Sequence, residues 1–180
     1  MRTRWITRFI AKLALLMFRT TVTGTDKLLA AHTNAAGKIL VTANHVSLID
    51  GVLIALSSPI PLVFAVAPEY ALRRSITRHS LMLLSRMGYG QVVPLDTTSC
   101  YGVRALYREL EQGNAVMIFP EGRIRAGAES LELMPGVNWL LHKTGAAEVK
   151  VSIRGPEQSR LFSRTGRKYW PATALHYGDY

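Results

Sequence analysis

The 180-residue chain has a single cysteine, Cys100, so no internal disulfide can staple it, a usage that fits a reducing compartment. Its five histidines, at positions 32, 45, 79, 142 and 176, are scattered, and the absence of any zinc-type Cys/His spacing argues against a metal site. Acids are scarce. Lys and Arg number 22 against 12 Asp and Glu, a formal charge of +10, and no acid occurs before Asp26. Long apolar runs are also missing. Residues 51–68, "GVLIALSSPIPLVFAVAP", are uncharged and near the length of a membrane span. Ser57, Ser58, Pro59 and Pro61 divide them, which reads as a buried helix, a turn and a buried strand. No G-x-S-x-G elbow, P-loop or dinucleotide fingerprint occurs, and Gly88-Tyr89-Gly90 lacks the third glycine. Nucleic acid is disfavoured as a partner, because no helix-turn-helix, zinc-finger or RNA-binding signature is found.

What is there suits one domain with a full core, about half of its residues being apolar. The excess of positive charge suits an anionic partner, such as a membrane surface or an acidic protein. Residues 1–20 divide off as a basic amphipathic helix, and residues 21–180 form the remaining domain. In the helix Trp5, Ile6, Phe9, Ile10, Leu13, Leu16 and Met17 recur at helical spacing, while Arg4, Arg8 and Lys12 fall on another face. That is the pattern of a helix lying in a membrane interface; packing on the core is the alternative. Lys12 interrupts the apolar region and no small-residue cleavage site follows, which disfavours a signal peptide.

Short, β-branched apolar runs predict strands at 38–43, 61–67, 91–95, 115–119, 149–154 and 173–177. Helical patterns fall at 69–87, 103–110 and 137–143, each followed by a glycine, at 88, 113 and 145. The alternation predicts an α/β domain with a mostly parallel central sheet flanked by helices. Ligands in such sheets bind beyond the carboxyl ends of the strands, and two polar clusters lie there. One is "NHVSLID", after residues 38–43; the other is "PEGRIR", after "AVMIF". Both open on one crevice if their strands are parallel and close.

In the first cluster, His45 can take a proton from a hydroxyl, and a carboxylate on its other ring nitrogen would fix its tautomer. Asp50 is five residues on, about 140° away on one continuous helix, so the two meet only if His45 precedes the helix. Ser47-Leu48-Ile49-Asp50 resembles a capping box, with Ser47 as N-cap and Asp50 at N3. Catalysis and capping therefore both remain open for Asp50. In the second cluster, Pro120 ends the strand and Gly122 lets backbone approach a ligand. Arg123, and after it Arg125, offer phosphate donors. Glu121 can accept a hydroxyl or orient an arginine; a solvated turn is the alternative.

Taken in order, Asn44-His45-x-Ser47-x-x-Asp50 and, about 70 residues later, Phe119-Pro120-Glu121-Gly122-Arg123 resemble the glycerolipid (lysophospholipid) acyltransferase family. The resemblance runs from about Val22 to Tyr177. It implies a glycerol-phosphate-acyltransferase-like α/β fold preceded by membrane-associated helices. It implies that His45 is the general base, with Asp50 its orienting partner and Asn44 and Ser47 in support. Glu121, Gly122 and Arg123 would bind the acceptor. The acyl donor would be acyl-[acyl-carrier protein] or acyl-CoA, with no cofactor and no metal, and the enzyme would sit on the cytoplasmic face of the inner membrane, peripheral or monotopic.

The chain departs from the family pattern in three places. Asp96 stands near the arginine that typically ends the second motif; Arg123 comes one position early in the third; Lys150 replaces a proline in the fourth. The first two suggest an acceptor whose phosphate is not a bare monoester. "VVPLD", "FPEGRI" and "SRLFSRTGRKYWP" look most like the acyltransferase half of bacterial bifunctional 2-acylglycerophosphoethanolamine acyltransferase/acyl-carrier-protein synthetases; the synthetase half is not among these 180 residues, so a stand-alone version and a fragment of a longer protein are both open. Lyso-phosphatidylethanolamine is then the expected acceptor. Lysophosphatidic acid is the alternative within the family, and a non-catalytic, basic membrane-binding domain is the alternative outside it. Two basic regions, Arg73/Arg74/Arg78/Arg86 and Lys150 to Lys168, suit an acidic carrier protein and an anionic leaflet.

Overall fold

The computed structural model describes residues 2–66, 85, 90–94, 100–125 and 134–178. In chain order the elements are α1 (Arg2–Met17), β1 (Thr20–Thr23), α2 (Thr25–Asn34), β2 (Ile39–Ala43), α3 (Asp50–Ser57), β3 (Leu62–Val66) and β4 (Gly90–Pro94). They continue as α4 (Cys100–Glu111), β5 (Val116–Ile118), α5 (Gly136–Thr144), β6 (Ala147–Arg154), a 3₁₀ turn (Pro156–Gln158) and β7 (Thr173–Tyr177). The six expected strands are all present, and Gly113 and Gly145 sit past the helix ends with positive φ, 79° and 63°. The helix expected at 69–87 lies, except for residue 85, outside the described residues.

These strands form one sheet in the order β1-β7-β6-β2-β5-β3-β4. Every neighbouring pair is parallel except β6 with β7. β2, at the centre, is buried along its whole length because both of its faces are covered. Ile39, Val41 and Ala43 meet Leu28 of α2 and Leu53 and Ile54 of α3 on one side. Leu40 meets Leu106 and Leu110 of α4 and Leu140 of α5 on the other. β6 is different. Val149, Val151 and Ile153 point into the α2/α3 core, whereas Glu148, Lys150 and Arg154 alternate outward and are exposed.

The expected N-terminal helix forms, and it meets the rest of the fold through its small face. Ala11 is buried, Leu15 packs on the core and α1 lies against α3. Ile6, Phe9, Ile10, Leu13, Leu16 and Met17, the apolar stripe, all face solvent. Core packing therefore does not account for that stripe. Among the described residues, no helix is long and apolar enough to cross a membrane.

Candidate active site

β2 and β5 are parallel neighbours, with Thr42 opposite Ile118. One to three residues beyond that pair, both chains leave the sheet on the same side, and the two polar clusters come together as expected. The Arg125 backbone N–H donates to the His45 carbonyl at 2.9 Å, which fastens the second cluster to the first. Asn44 fastens the first to β6. Its side-chain amide donates to Ile153 O at 2.9 Å, and its carbonyl accepts from Ile153 N at 2.8 Å. In this way Asn44 acts as a substitute strand residue for the backbone of β6.

His45 precedes α3 and Asp50 opens it, the arrangement that lets them meet. His45 Nδ1 lies 2.9 Å from Asp50 Oδ2. A carboxylate only accepts, so Nδ1 carries the proton and Nε2 is the nitrogen with a free lone pair. Asp50 is fully buried. The same Oδ2 accepts from the backbone N–H groups of Val46 and Ser47, each at 2.7 Å, and the Ser47 hydroxyl donates to Oδ1. Four donors thus fix one carboxylate, and its orientation dictates that of the imidazole.

The capping box expected at Ser47 is only half formed. The helix begins at Asp50 with Ile49 as its cap, and that cap has no side-chain hydrogen bond. Asp50 does reach back to Ser47 N, but the Ser47 hydroxyl donates to the carboxylate, and its oxygen accepts only a long bond from Ile49 N, at 3.3 Å. An anion at the first turn of a helix is favourable in itself. Here the motif is spent on orienting Asp50, because all four of its donors lie in the 45–47 turn.

Phe119 stacks on His45, with centroids 4.1 Å apart and planes 16° from parallel, and closes one face of the ring. In the sequence Phe119 opens the second motif but reads only as the last apolar position of a strand, with no role of its own. Glu121 is buried, its side chain 2% exposed, and is held by Arg125: Nε donates at 2.8 Å, and Nη2 is 2.5 Å from the same oxygen, Oε1. That hydrogen bond raises the pKa of the Arg125 guanidinium. Among the described residues, Glu121 Oε2 has no hydrogen-bond partner. A buried acceptor without a donor carries a desolvation cost that an incoming hydroxyl would remove.

Glu121 and Arg125 line an open cleft of about 620 Å³ with Asn44, Asn138, Glu148 and Lys150. The cleft lies between the first turn of α5, at Val137 and Asn138, and β6. Of the two arginines considered for this site, Arg125 lines the cleft; Arg123 is exposed and is not among the lining residues. Gly122, at φ +65°, makes the turn between Glu121 and Arg125, and a Cβ there would press on Met134 Sδ at 3.2 Å.

A family model described as Acyltransferase matches residues 19–158. The chain belongs to that family. It is an O-acyltransferase, and its fold has a solved counterpart. The crystal structure of the 1-acyl-sn-glycerophosphate (LPA) acyltransferase PlsC from Thermotoga maritima superposes with a TM-score of 0.61 at 19% identity. The match covers 98% of this chain and 69% of that one. At that identity the likeness is one of fold, and the architecture expected from sequence is the one observed.

Proposed function

We propose that the enzyme transfers a fatty acyl group from an acyl thioester, acyl-[acyl-carrier protein] or acyl-CoA, to the free hydroxyl of a lysophospholipid. The reading rests on the 2.9 Å contact between His45 and an Asp50 locked by three further donors. His45 Nε2 takes the proton of the acceptor hydroxyl as its oxygen attacks the thioester carbonyl. The developing imidazolium is stabilised through Nδ1–H by Asp50. The C–S bond breaks, the new ester keeps the acyl group, and the thiolate leaves as a thiol with the proton held by His45. Glu121 Oε2 accepts a second hydroxyl or head-group donor, and Arg125 and Lys150 bring positive charge to the cleft for the acceptor phosphate.

Lyso-phosphatidylethanolamine is the favoured acceptor, in phospholipid repair, on the strength of the resemblance carried by "VVPLD", "FPEGRI" and "SRLFSRTGRKYWP", and the motif departures at Asp96 and Arg123 agree with a phosphate that is not a bare monoester. Lysophosphatidic acid is the second reading, favoured by the fold shared with a solved LPA acyltransferase. The enzyme works as a peripheral membrane protein, seated through the outward apolar stripe of α1. A matrix of acyl-[acyl-carrier protein] and acyl-CoA donors against both lysolipids, offered in competition, tests the assignment. His45→Ala is expected to lower turnover by at least a thousandfold with an unchanged circular-dichroism spectrum. Near-normal turnover in that variant would remove His45 as the base. A wild-type chain that binds liposomes but turns over no pair would be a non-catalytic membrane domain.

A further inference from the structure

The segment between β6 and β7 is folded upon itself, and it touches both the membrane-type helix and the catalytic turn. Arg160 N donates to Lys168 O at 2.7 Å and Lys168 N to Gln158 O at 2.9 Å, which closes a loop over residues 159–168. Phe162 and Trp170 pack around Phe18 at the end of α1, with centroids 6.0 and 5.5 Å from its ring. The Trp170 indole N–H donates to the Met17 carbonyl at 2.5 Å. On the other flank, Leu48 N, within the His45–Asp50 turn, donates to Phe162 O at 2.8 Å. The loop therefore joins the last turn of α1 to the residues that hold the catalytic pair.

Its outer surface is apolar and cationic together. Leu161, Tyr169 and Trp170 are 53, 62 and 41% exposed, and Trp170 is bonded to the end of α1, where Leu16 and Met17 are 73 and 60% exposed. From residue 155 to 171 the cations are Arg160, Arg164, Arg167 and Lys168, and the only acid is Glu157. Exposed aromatic and leucine side chains interspersed with exposed Arg and Lys match the chemistry of an anionic bilayer surface, with an apolar boundary beneath negative head groups. We infer that the 159–170 loop is a second membrane-seating element, continuous with the α1 stripe, whose occupant is an anionic phospholipid bilayer. Its seating steadies the catalytic turn through the Leu48–Phe162 hydrogen bond. Bilayer binding stands apart from the acyl-transfer reading; only the activity arm of its test rests on that reading.

The test uses the full chain with two surface variants, Leu161→Asp and Arg164→Gln/Arg167→Gln, none of these positions lying in the catalytic network. Flotation with phosphatidylethanolamine/phosphatidylglycerol vesicles is compared with flotation on phosphatidylcholine. Both variants are expected to bind the anionic vesicles at least fivefold more weakly at unchanged Tm, and the charge variant is expected to match wild type on phosphatidylcholine. Apparent KM for bilayer-borne lysolipid should rise, while turnover on detergent-dispersed lysolipid stays within twofold. Wild-type flotation of both variants, with loss only in a Leu13→Asp/Leu16→Asp helix variant, would leave α1 as the sole anchor and overturn the inference. Wild-type flotation of the charge variant, with activity lost for acyl-[acyl-carrier protein] alone, would reassign the surface to the acidic carrier protein. A wild type inactive on every lipid would fail the acyl-transfer reading and leave the flotation comparison standing.

Discussion

Asp50 Oδ2 accepts from three donors at once and Oδ1 from the Ser47 hydroxyl, so its two neighbours in function, Ser47 and His45, are coupled through one buried group. Removing the hydroxyl leaves Oδ1 buried without its donor, a loss of about 1–3 kcal/mol. Ser47→Ala is therefore expected to lower stability by that amount in urea unfolding, with a moderate fall in kcat. Asp50→Asn turns an acceptor toward four donors into a group that is itself half donor. It should reduce kcat/KM by more than a hundredfold, well beyond the roughly 1 kcal/mol of a lost helix cap. Intact turnover at reduced stability would make Asp50 an anchor only. The His45–Asp50 pairing was legible because a five-residue spacing at a strand–helix junction admits few geometries. Phe119 and Arg125 were not placed with equal ease. A stacking partner looks like any core phenylalanine, and the Glu121–Arg125 contact needs the turn at Gly122, which spacing does not reveal.

Elements with strong β-branched runs or helix-stopping glycines were legible almost to the residue, as at β7 and α5. β1 and α2 were not foreseen. β1 is four residues of half-exposed threonine and valine, and α2 buries a single side chain, Leu28, so neither carries a clear periodic signal. Both owe their place to tertiary contacts with the end of β7. Gly24, between them, has φ +75°, and a Cβ there would stand 2.1 Å from the Tyr177 carbonyl oxygen. Gly24→Ala is expected to cost at least about 2 kcal/mol, read as a fall in Tm, since strain at positive φ adds to a backbone clash. Tyr177 itself ties β7 to α3, its hydroxyl 2.6 Å from Ser57 Oγ. Burial raises the Tyr177 pKa above its ordinary value, and the Ser57 hydrogen bond offsets only part of this. The unfolded chain then gives up this proton first. The contribution to stability is complete below pH about 10 and is lost as pH climbs toward the folded-state value. Tyr177→Phe should be less stable by about 1 kcal/mol at pH 8 and should show a shallower decline between pH 10 and 11.

For the whole molecule, a charge of +10 sets how far its approach to a bilayer or acidic donor is felt. The Debye length shrinks from about 10 Å at 0.1 M salt to about 3 Å at 1 M. Vesicle association and kcat/KM with bilayer substrate are expected to fall together over that range, while Tm stays nearly constant. Salt-independent association would mean that apolar burial alone seats the protein. Strand order across the sheet was the least legible property. Parallel pairing lets distant segments become neighbours, and nothing in the local pattern of residues 20–23 points to residues 173–177.

That last pairing also has a bearing on how the protein is made. Among the described residues β1 has β7 as its only strand neighbour, and β7 is synthesised 150 residues after β1. At about 5–20 residues per second, the delay is on the order of ten seconds. For most of it α1 stands outside the ribosome with its apolar stripe uncovered, while the slot that receives β1 does not yet exist. A nascent chain in that state is free to settle on a membrane before its sheet closes, so attachment can precede folding rather than follow it.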